Sequence, residues 1–251
     1  MAKEYCMKRG IFMLVGHIQE ITRHPVKSFT GEQVQKTRVM DYGLYGDRSH
    51  AFKDKNGKFL TITQVPEMVR YQAAFSGDET LDQYPEIKVK TPTGQALTWG
   101  GEALHEEMGR LLNEEATTIV YPPGHIPLGA IEEENILLVS DASIGELTKL
   151  WGKELDGRRF RQNLVLSLVN KTPFLEEQWF GKRILIGNEV ELEIKRYCER
   201  CMIITVDPSD SQRDPTLLKT VVKERNNHFG VYASVIKTGE IRVGDQVFLM
   251  D

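Results

Sequence analysis

Short β-prone runs separated by turn signals fill this chain, and they restrict it to a fold made of strands and tight corners. Residues 49–53 and 58–63 flank Asp54-Lys55-Asn56-Gly57. Asn-Gly between two such runs predicts a hairpin, because its turn needs positive φ and these residues tolerate it. Residues 87–90 turn through Thr91-Pro92-Thr93-Gly94 into 95–99, a second hairpin. In the later half, Ile186-Gly187-Asn188-Glu189-Val190-Glu191-Leu192 is echoed by Val243-Gly244-Asp245-Gln246-Val247-Phe248-Leu249. Both read as strand, turn, strand, and two such corners suit a small barrel. The echo is too short to mark a duplicated domain.

Three helices are expected to interrupt the strands. Residues 101–114 place Leu104, Met108, Leu111 and Leu112 at helical spacing. Ser140 or Asp141 can cap a second helix carrying Ile144, Leu147 and Leu150, and Asp214-Pro215 starts a third with Leu217, Leu218, Val221 and Val222 on one face. Core packing accounts for all three stripes. The turn-rich stretch from Tyr121 to Gly129, with Pro122, Pro123, Gly124 and Pro127, is the natural place for a boundary. Strands and helices do not alternate and Gly-x-Gly-x-x-Gly is absent, so a Rossmann nucleotide site is not indicated.

With 251 residues the chain can bury one large core or two ordinary ones. A net charge of −4 with 27% charged residues argues against a general nucleic-acid or anionic-membrane surface. No apolar run approaches the roughly 20 residues of a membrane helix, and the run 11–15 is shorter than a signal-peptide core of about 7–15 residues. Three cysteines make no disulfide framework, which fits a reducing compartment, so a cytoplasmic location is expected.

The chemistry concentrates in Tyr197-Cys198-Glu199-Arg200-Cys201-Met202-Ile203-Ile204-Thr205-Val206-Asp207-Pro208. A cation beside a thiol stabilises thiolate, the form that attacks electrophiles and ligates soft metals. A structural zinc site would need four ligands, and neither a second Cys-x-x-Cys nor a His-x-x-x-His is present. Dithiol exchange of the thioredoxin kind belongs where a strand feeds a helix, whereas Cys198 and Cys201 lie between two strand-like runs, 190–194 and 202–206. Two inert thiols remain the plain alternative.

Arg200-Cys201 followed by Thr205-Val206-Asp207-Pro208 resembles the signature of MOSC domains, the molybdenum cofactor sulfurase C-terminal domain family. His24-Pro25-Val26-Lys27-Ser28 and Gly46-Asp47-Arg48 are similar to motifs of the β-barrel that precedes this domain in amidoxime-reducing proteins. Arg159-Phe160-Arg161-Gln162-Asn163 and Ile241-Arg242-Val243-Gly244-Asp245-Gln246-Val247 resemble further family segments, so the likeness runs over residues 13–251. Cys6 and the rest of residues 1–12 lie ahead of it, as an extension or an alternative start before Met13. His24 stands where an aromatic often does in the family, and Glu199 sets a negative charge next to Arg200.

The resemblance implies a mainly β fold with a few helices (α+β): an N-terminal β-barrel-like domain at 13–125 and a MOSC-like β-barrel at 126–251, with the cofactor site where they meet. It implies that Cys201 is the catalytic thiol and molybdenum ligand, or a persulfide carrier, with Cys198 a bystander. Lys27, Ser28, Arg48, Arg161, Asn163 and Arg200 are then expected around a molybdenum cofactor (Mo-pyranopterin), whose phosphate needs donors and whose metal needs a soft ligand. Asp207 can shape the same pocket or simply make an Asp-Pro turn. The implied function is reduction of small N-hydroxylated substrates. Electrons would come from a separate ferredoxin, flavodoxin or cytochrome-type protein, since three cysteines and no flavin fingerprint provide no internal relay. The alternatives are a sulfur carrier loaded by a cysteine desulfurase, and a cofactor-binding module without turnover.

Overall fold

Alternation along the strands sorts the later half of the chain into an inside and an outside. Ile136 and Leu138 face one cluster together with Leu164, Leu166 and Leu168, while Val139 and Val165, one residue out of step, pack into another. The computed structural model describes residues 4–7, 10–113, 115–131 and 133–250. In it seven strands close on themselves: β1 Gly10–Arg23, β2 Ile136–Ser140, β3 Leu164–Leu168, β4 Arg183–Ile186, β5 Val190–Glu199, β6 His228–Lys237 and β7 Gln246–Met250. Around the barrel the order is β1-β3-β2-β6-β5-β4-β7 and back to β1; only β3 and β2 run parallel. Closure leaves no open edge in the ring. Ahead of it Glu4–Met7 pairs antiparallel with the start of β1, whereas residues 1–3 and 8–9 of the expected extension lie outside the described residues.

The two echoed corners sit side by side in this barrel. The turn after β4 and the turn before β7 meet where Gly187 N donates to Gln246 O at 2.9 Å, and the second corner is tied to β1 by Gly244 N to Ile18 O and Ile18 N to Asp245 O. The barrel thus explains why the same short motif appears twice.

Residues 24–120 form three smaller sheets around a separate aromatic core that includes Phe29, Tyr45, Phe52, Tyr71 and Phe75. The chain crosses between the two cores at both ends: β1 belongs to the barrel, and Gly239–Arg242 pairs with Lys36–Met40 of the first half. The hairpin predicted at 95–99 is present, with Glu86–Lys90 antiparallel to Ala96–Thr98. The one predicted around Asn56-Gly57 is present but short: Asp54 Oδ1 accepts from Asn56 N and Lys58 N, Asp54 N donates to Lys58 O and Leu60 N to Phe52 O, around an antiparallel bridge between Lys53 and Phe59. His50–Lys53 makes its longer pairing with Thr117–Val120.

Helix α1, Glu102–Leu112, buries Leu104 and Met108 against the aromatic core. A short helix that the sequence did not suggest, α2 Leu128–Ile131, lies in the proline-rich stretch. Helices α3, Asp141–Trp151, and α4, Pro215–Arg225, cover the barrel exterior, where Leu147, Leu217 and Val221 meet Val139, Val165, Phe160 and Phe229. Ser140 Oγ accepts from Ser143 N and Asp214 Oδ1 from Thr216 N, the two expected caps. Leu150 and Val222 are exposed, so the buried stripes are narrower than their spacing suggested. No described helix is long and apolar enough to cross a membrane.

Gly16 marks the tightest point of the β1–β3 seam, because a methyl placed there would lie 2.5 Å from Ser167 O. Gly16→Val should therefore destabilise the barrel by about 1–3 kcal/mol, as overpacking does. Urea unfolding of the variant measures this, and an unchanged midpoint would mean that the seam is not closed as described.

Candidate functional site

Ser28, Arg48 and Arg161 share an unusual backbone: each has a positive φ, 73°, 57° and 55°, although none is glycine. Such conformations cost about 1–3 kcal/mol apiece and persist only where the surroundings impose them. Here the imposing contacts are visible. Arg48 N donates to His24 O at 2.6 Å, and Arg161 closes the 3-10 turn Gly157–Phe160 by donating to Arg158 O. Ser28 lies within a turn in which Phe29 N reaches Val26 O, and its hydroxyl donates to Leu60 O at 3.0 Å.

Between these turns lies a buried polar centre built on Asp47, which has no exposed surface. Its carboxylate accepts from His24 N at 2.6 Å, from Asn163 Nδ2 at 3.0 Å and from the Arg48 guanidinium. Arg48 Nη2 continues to Arg161 O, and Arg161 Nη1 to Phe29 O at 3.0 Å. Asn163 also joins β1, β2 and β3, since its Oδ1 accepts from Leu137 N and its Nδ2 reaches Thr22 O. Burial by itself would raise the Asp47 carboxyl, but Arg48 and the His24 contacts hold it well below the usual range. His24 is lowered to about 3 by burial, then by Arg161 and Arg48.

Cys201 is exposed and opens onto a cavity of about 240 Å³ lined also by Arg48, Arg161, Arg200, Cys198 and Asn227. It precedes a 3-10 turn, Met202–Thr205, where a strand was expected. The difference has a cause: Arg159 donates to the Ile204 and Thr205 carbonyls and to Asp207, which tethers the turn from below. Asp207 in turn accepts from Ser209 N, so it makes the Asp-Pro turn and is not among the cavity lining. Arg200 is buried. Its Nε donates to Phe229 O at 2.8 Å, its Nη1 to Phe160 O, and its plane lies over the Phe160 and Phe229 rings, while Nη2 has no hydrogen-bond partner among the described residues.

The structure therefore brings Cys201, Arg48, Arg161 and Arg200 to one cavity. Asn163 stands behind them as a support. Lys27 and Ser28 do not line that cavity: Lys27 Nζ donates to Ala130 O at 2.8 Å near the Phe59 ring. Cys198 is buried beside Leu137 and Tyr232. Sequence reasoning gave Asp47, Arg159 and Asn227 no site role of their own; the first two were legible only as neighbours of arginines within motifs, and Asn227 carried no signal.

The donor set suits the group that the resemblance implies. An exposed thiol is a soft ligand, and Arg200 supplies an unmatched buried cationic N–H beside it, where an anionic, oxygen- and sulfur-rich molecule would restore the missing interaction. Among the described residues no three His, Cys, Asp or Glu side chains gather for a metal of the zinc kind.

Residues 118–248 match the model of the MOSC domain, and residues 15–107 that of the MOSC N-terminal beta barrel domain. The chain is 26% identical to mitochondrial amidoxime-reducing component 1 of Homo sapiens over 97% of this chain and 86% of that protein. Similarity extends to molybdenum cofactor sulfurase of Drosophila mojavensis, 23% identical over 86% of this chain but 31% of that protein. The crystal structure of the YuaD protein from Bacillus subtilis shares the fold, with a TM-score of 0.52 at 15% identity over 99% of this chain and 98% of that one.

The buried histidines set an acid limit. Folded values of about 3 for His24 and about 4 for His50 lie below the ordinary 6.5, both chiefly through burial. The unfolded chain then binds protons that the folded chain refuses, so stability is full above pH 6.5 and falls as pH drops toward 4. The two together remove up to about 3 kcal/mol per pH unit within that window, offset in part by Glu176, whose carboxyl burial raises. Chemical unfolding at pH 7, 6 and 5 should show this decline; a flat profile would mean that the imidazoles are not held neutral.

Proposed function

The chain belongs to the MOSC domain family, and from that premise we propose that it is a molybdenum-cofactor-dependent oxidoreductase that reduces N-hydroxylated compounds with electrons from a separate protein. One observation carries the reading: an exposed thiol, Cys201, at a cavity walled by the buried guanidiniums of Arg48, Arg161 and Arg200. The relatives named as amidoxime-reducing components support the substrate class.

Cys201 would be the protein's sulfur ligand to the metal. Arg200, fixed by two carbonyls and two rings, would hold the anionic part of the cofactor next to that sulfur. Arg48 and Arg161, positioned through Asp47 and Phe29 O, would draw negative charge deeper into the cavity. Lys27 would extend this basic surface from the neighbouring turn, whose backbone Ser28 shapes. The cofactor would supply reversible metal redox chemistry; the net change consumes two electrons and two protons, breaks the N–O bond and releases water. Because Cys201 lies at the surface, an electron-transfer protein can approach it.

The same exposure favours one second reading, a sulfur carrier with a Cys201 persulfide loaded by a cysteine desulfurase, in line with the sulfurase relative. Both readings are expected in the cytoplasm.

Cys201→Ser should remove or alter bound molybdenum, measured by metal analysis and absorption spectra of protein from a host that makes the cofactor, whereas Cys198→Ser should retain it. Arg200→Ala should weaken cofactor binding about ten- to a hundredfold, the loss of one charge-assisted bond worth about 1.5–3 kcal/mol. Unchanged molybdenum in Cys201→Ser would end the ligand assignment.

Isolated protein loaded with cofactor should not reduce benzamidoxime with NADH but should do so with a chemical reductant or an added electron-transfer protein. Direct NADH turnover would overturn the need for a partner. Inactivity with every reductant despite full loading would favour the persulfide, visible as one added sulfur atom in the mass of the Cys201 peptide.

A further inference from the structure

Arg161 is shared by two cavities whose carboxylates are settled differently. The larger, about 660 Å³, lies between β1, helix α3, the turn at Gly157 and the loop at Thr30. Its carboxylates are matched: Asp141 by Lys171, Asp156 by Arg158, and Glu20 by the Gln33 amide. The thiol cavity keeps one carboxylate without such a match. Glu199 is exposed and lines the cavity that Cys201 opens onto, and neither an ion pair nor a hydrogen bond holds its side chain among the described residues.

The groups around Glu199 leave its charge standing. Arg200, its neighbour in the chain, commits its guanidinium to the Phe229 and Phe160 carbonyls. His228, opposite Glu199 on the adjacent strand, stacks its ring on Tyr197 at 4.3 Å. Arg196 lies over the Tyr232 ring and is taken by two other carboxylates, Glu133 at 2.9 Å and Glu134 at 3.4 Å. Glu133 lines the cavity as well, so its two lining carboxylates, Glu133 and Glu199, are set against one guanidinium that Glu134 also shares.

Resting on the reading of Cys201 as the centre of a reductase for N-hydroxylated compounds, we propose that Glu199 makes the thiol cavity selective for substrates that carry a positive charge on the body of the molecule, such as an N-hydroxyamidine bearing a protonated amine. Two residues of extended chain span at most about 7 Å, so Glu199 lies within the length of such a molecule from Cys201. Leu137, Ile203 and Tyr232 in the cavity wall give apolar contact to the body, the hydroxylated end lies toward Cys201 and the charged end toward Glu199. An anionic body would set a further negative charge against Glu199 and Glu133, and a neutral one would gain nothing from either. Because the carboxylate is exposed, the preference is several-fold rather than orders of magnitude, and salt weakens it.

Cofactor-loaded protein driven by a chemical reductant is assayed on benzamidoximes that differ only in the para group: aminomethyl, methyl or carboxylate. At low salt kcat/KM should favour the cation over the anion by about fivefold or more, chiefly through KM, with the neutral compound between them. Taken as a ratio to the neutral compound in the same variant, the preference for the cation should fall about threefold in Glu199→Gln and reverse in Glu199→Lys. Unloaded protein gives a readout that needs no turnover, the rates at which a trimethylammonium and a sulfonate methanethiosulfonate modify the Cys201 peptide, followed by mass. Glu199→Gln should lower that cation-to-anion rate ratio by about threefold. Equal kcat/KM for the three substrates, or a preference that survives Glu199→Gln, would overturn the assignment. Inactivity towards all three would count against the reductase reading instead, and the reagent ratio then decides the selectivity by itself: a ratio untouched by Glu199→Gln overturns it, and a lowered one supports it.

Discussion

The arrangement hangs on the buried carboxylate of Asp47. It comes from the first half of the chain and is met there by Arg48 and by the His24 backbone, while Asn163 reaches it from the start of β3 in the barrel. Removing one partner from such a centre leaves a charge in a medium that cannot solvate it, which typically costs about 3–5 kcal/mol. The two cores are therefore not free to drift at this point. Through Arg48 the same carboxylate reaches the Arg161 carbonyl, and so it fixes the backbone that carries Arg161 in its left-handed conformation.

Charge is unevenly settled around the thiol cavity. Arg48 has a full carboxylate partner, but the contacts of Arg200 are carbonyl oxygens and ring faces, which compensate a guanidinium only in part. A positive potential held by rigid groups in a sheltered pocket is an anion site prepared in advance, at no reorganisation cost when the anion arrives. Glu199, exposed between Cys198 and Arg200, and Glu133 line the same cavity and moderate that field.

Local signals in the sequence carried the barrel corners, the three long helices and their caps, because each depends on residues close together in the chain. The Asn56-Gly57 turn was equally local, and its limbs meet at Lys53 and Phe59, but the longer pairing of His50–Lys53 with Thr117–Val120 is decided by long-range packing. Met202–Thr205 has β-branched residues and reads as a strand, but Arg159 at a distance of more than forty positions captures its carbonyls and bends it. Cys201, Arg48, Arg161 and Arg200 were legible through their motifs. Asp47 showed only as the middle of Gly46-Asp47-Arg48 and Asn227 not at all, since the need for a buried counter-charge or a lining amide exists only once the chain has folded.

Arg161 stands between the two cavities, with its guanidinium fixed to Phe29 O and its carbonyl held by Arg48. Gln162 follows it directly and forms the wall of the larger cavity, while Asn163, one residue further, is bonded to Asp47. Three consecutive residues thus serve one cavity, the other and the polar centre that joins the halves of the chain. The segment is pinned on both sides of Gln162 by buried hydrogen bonds, and small displacements there are costly in a packed interior.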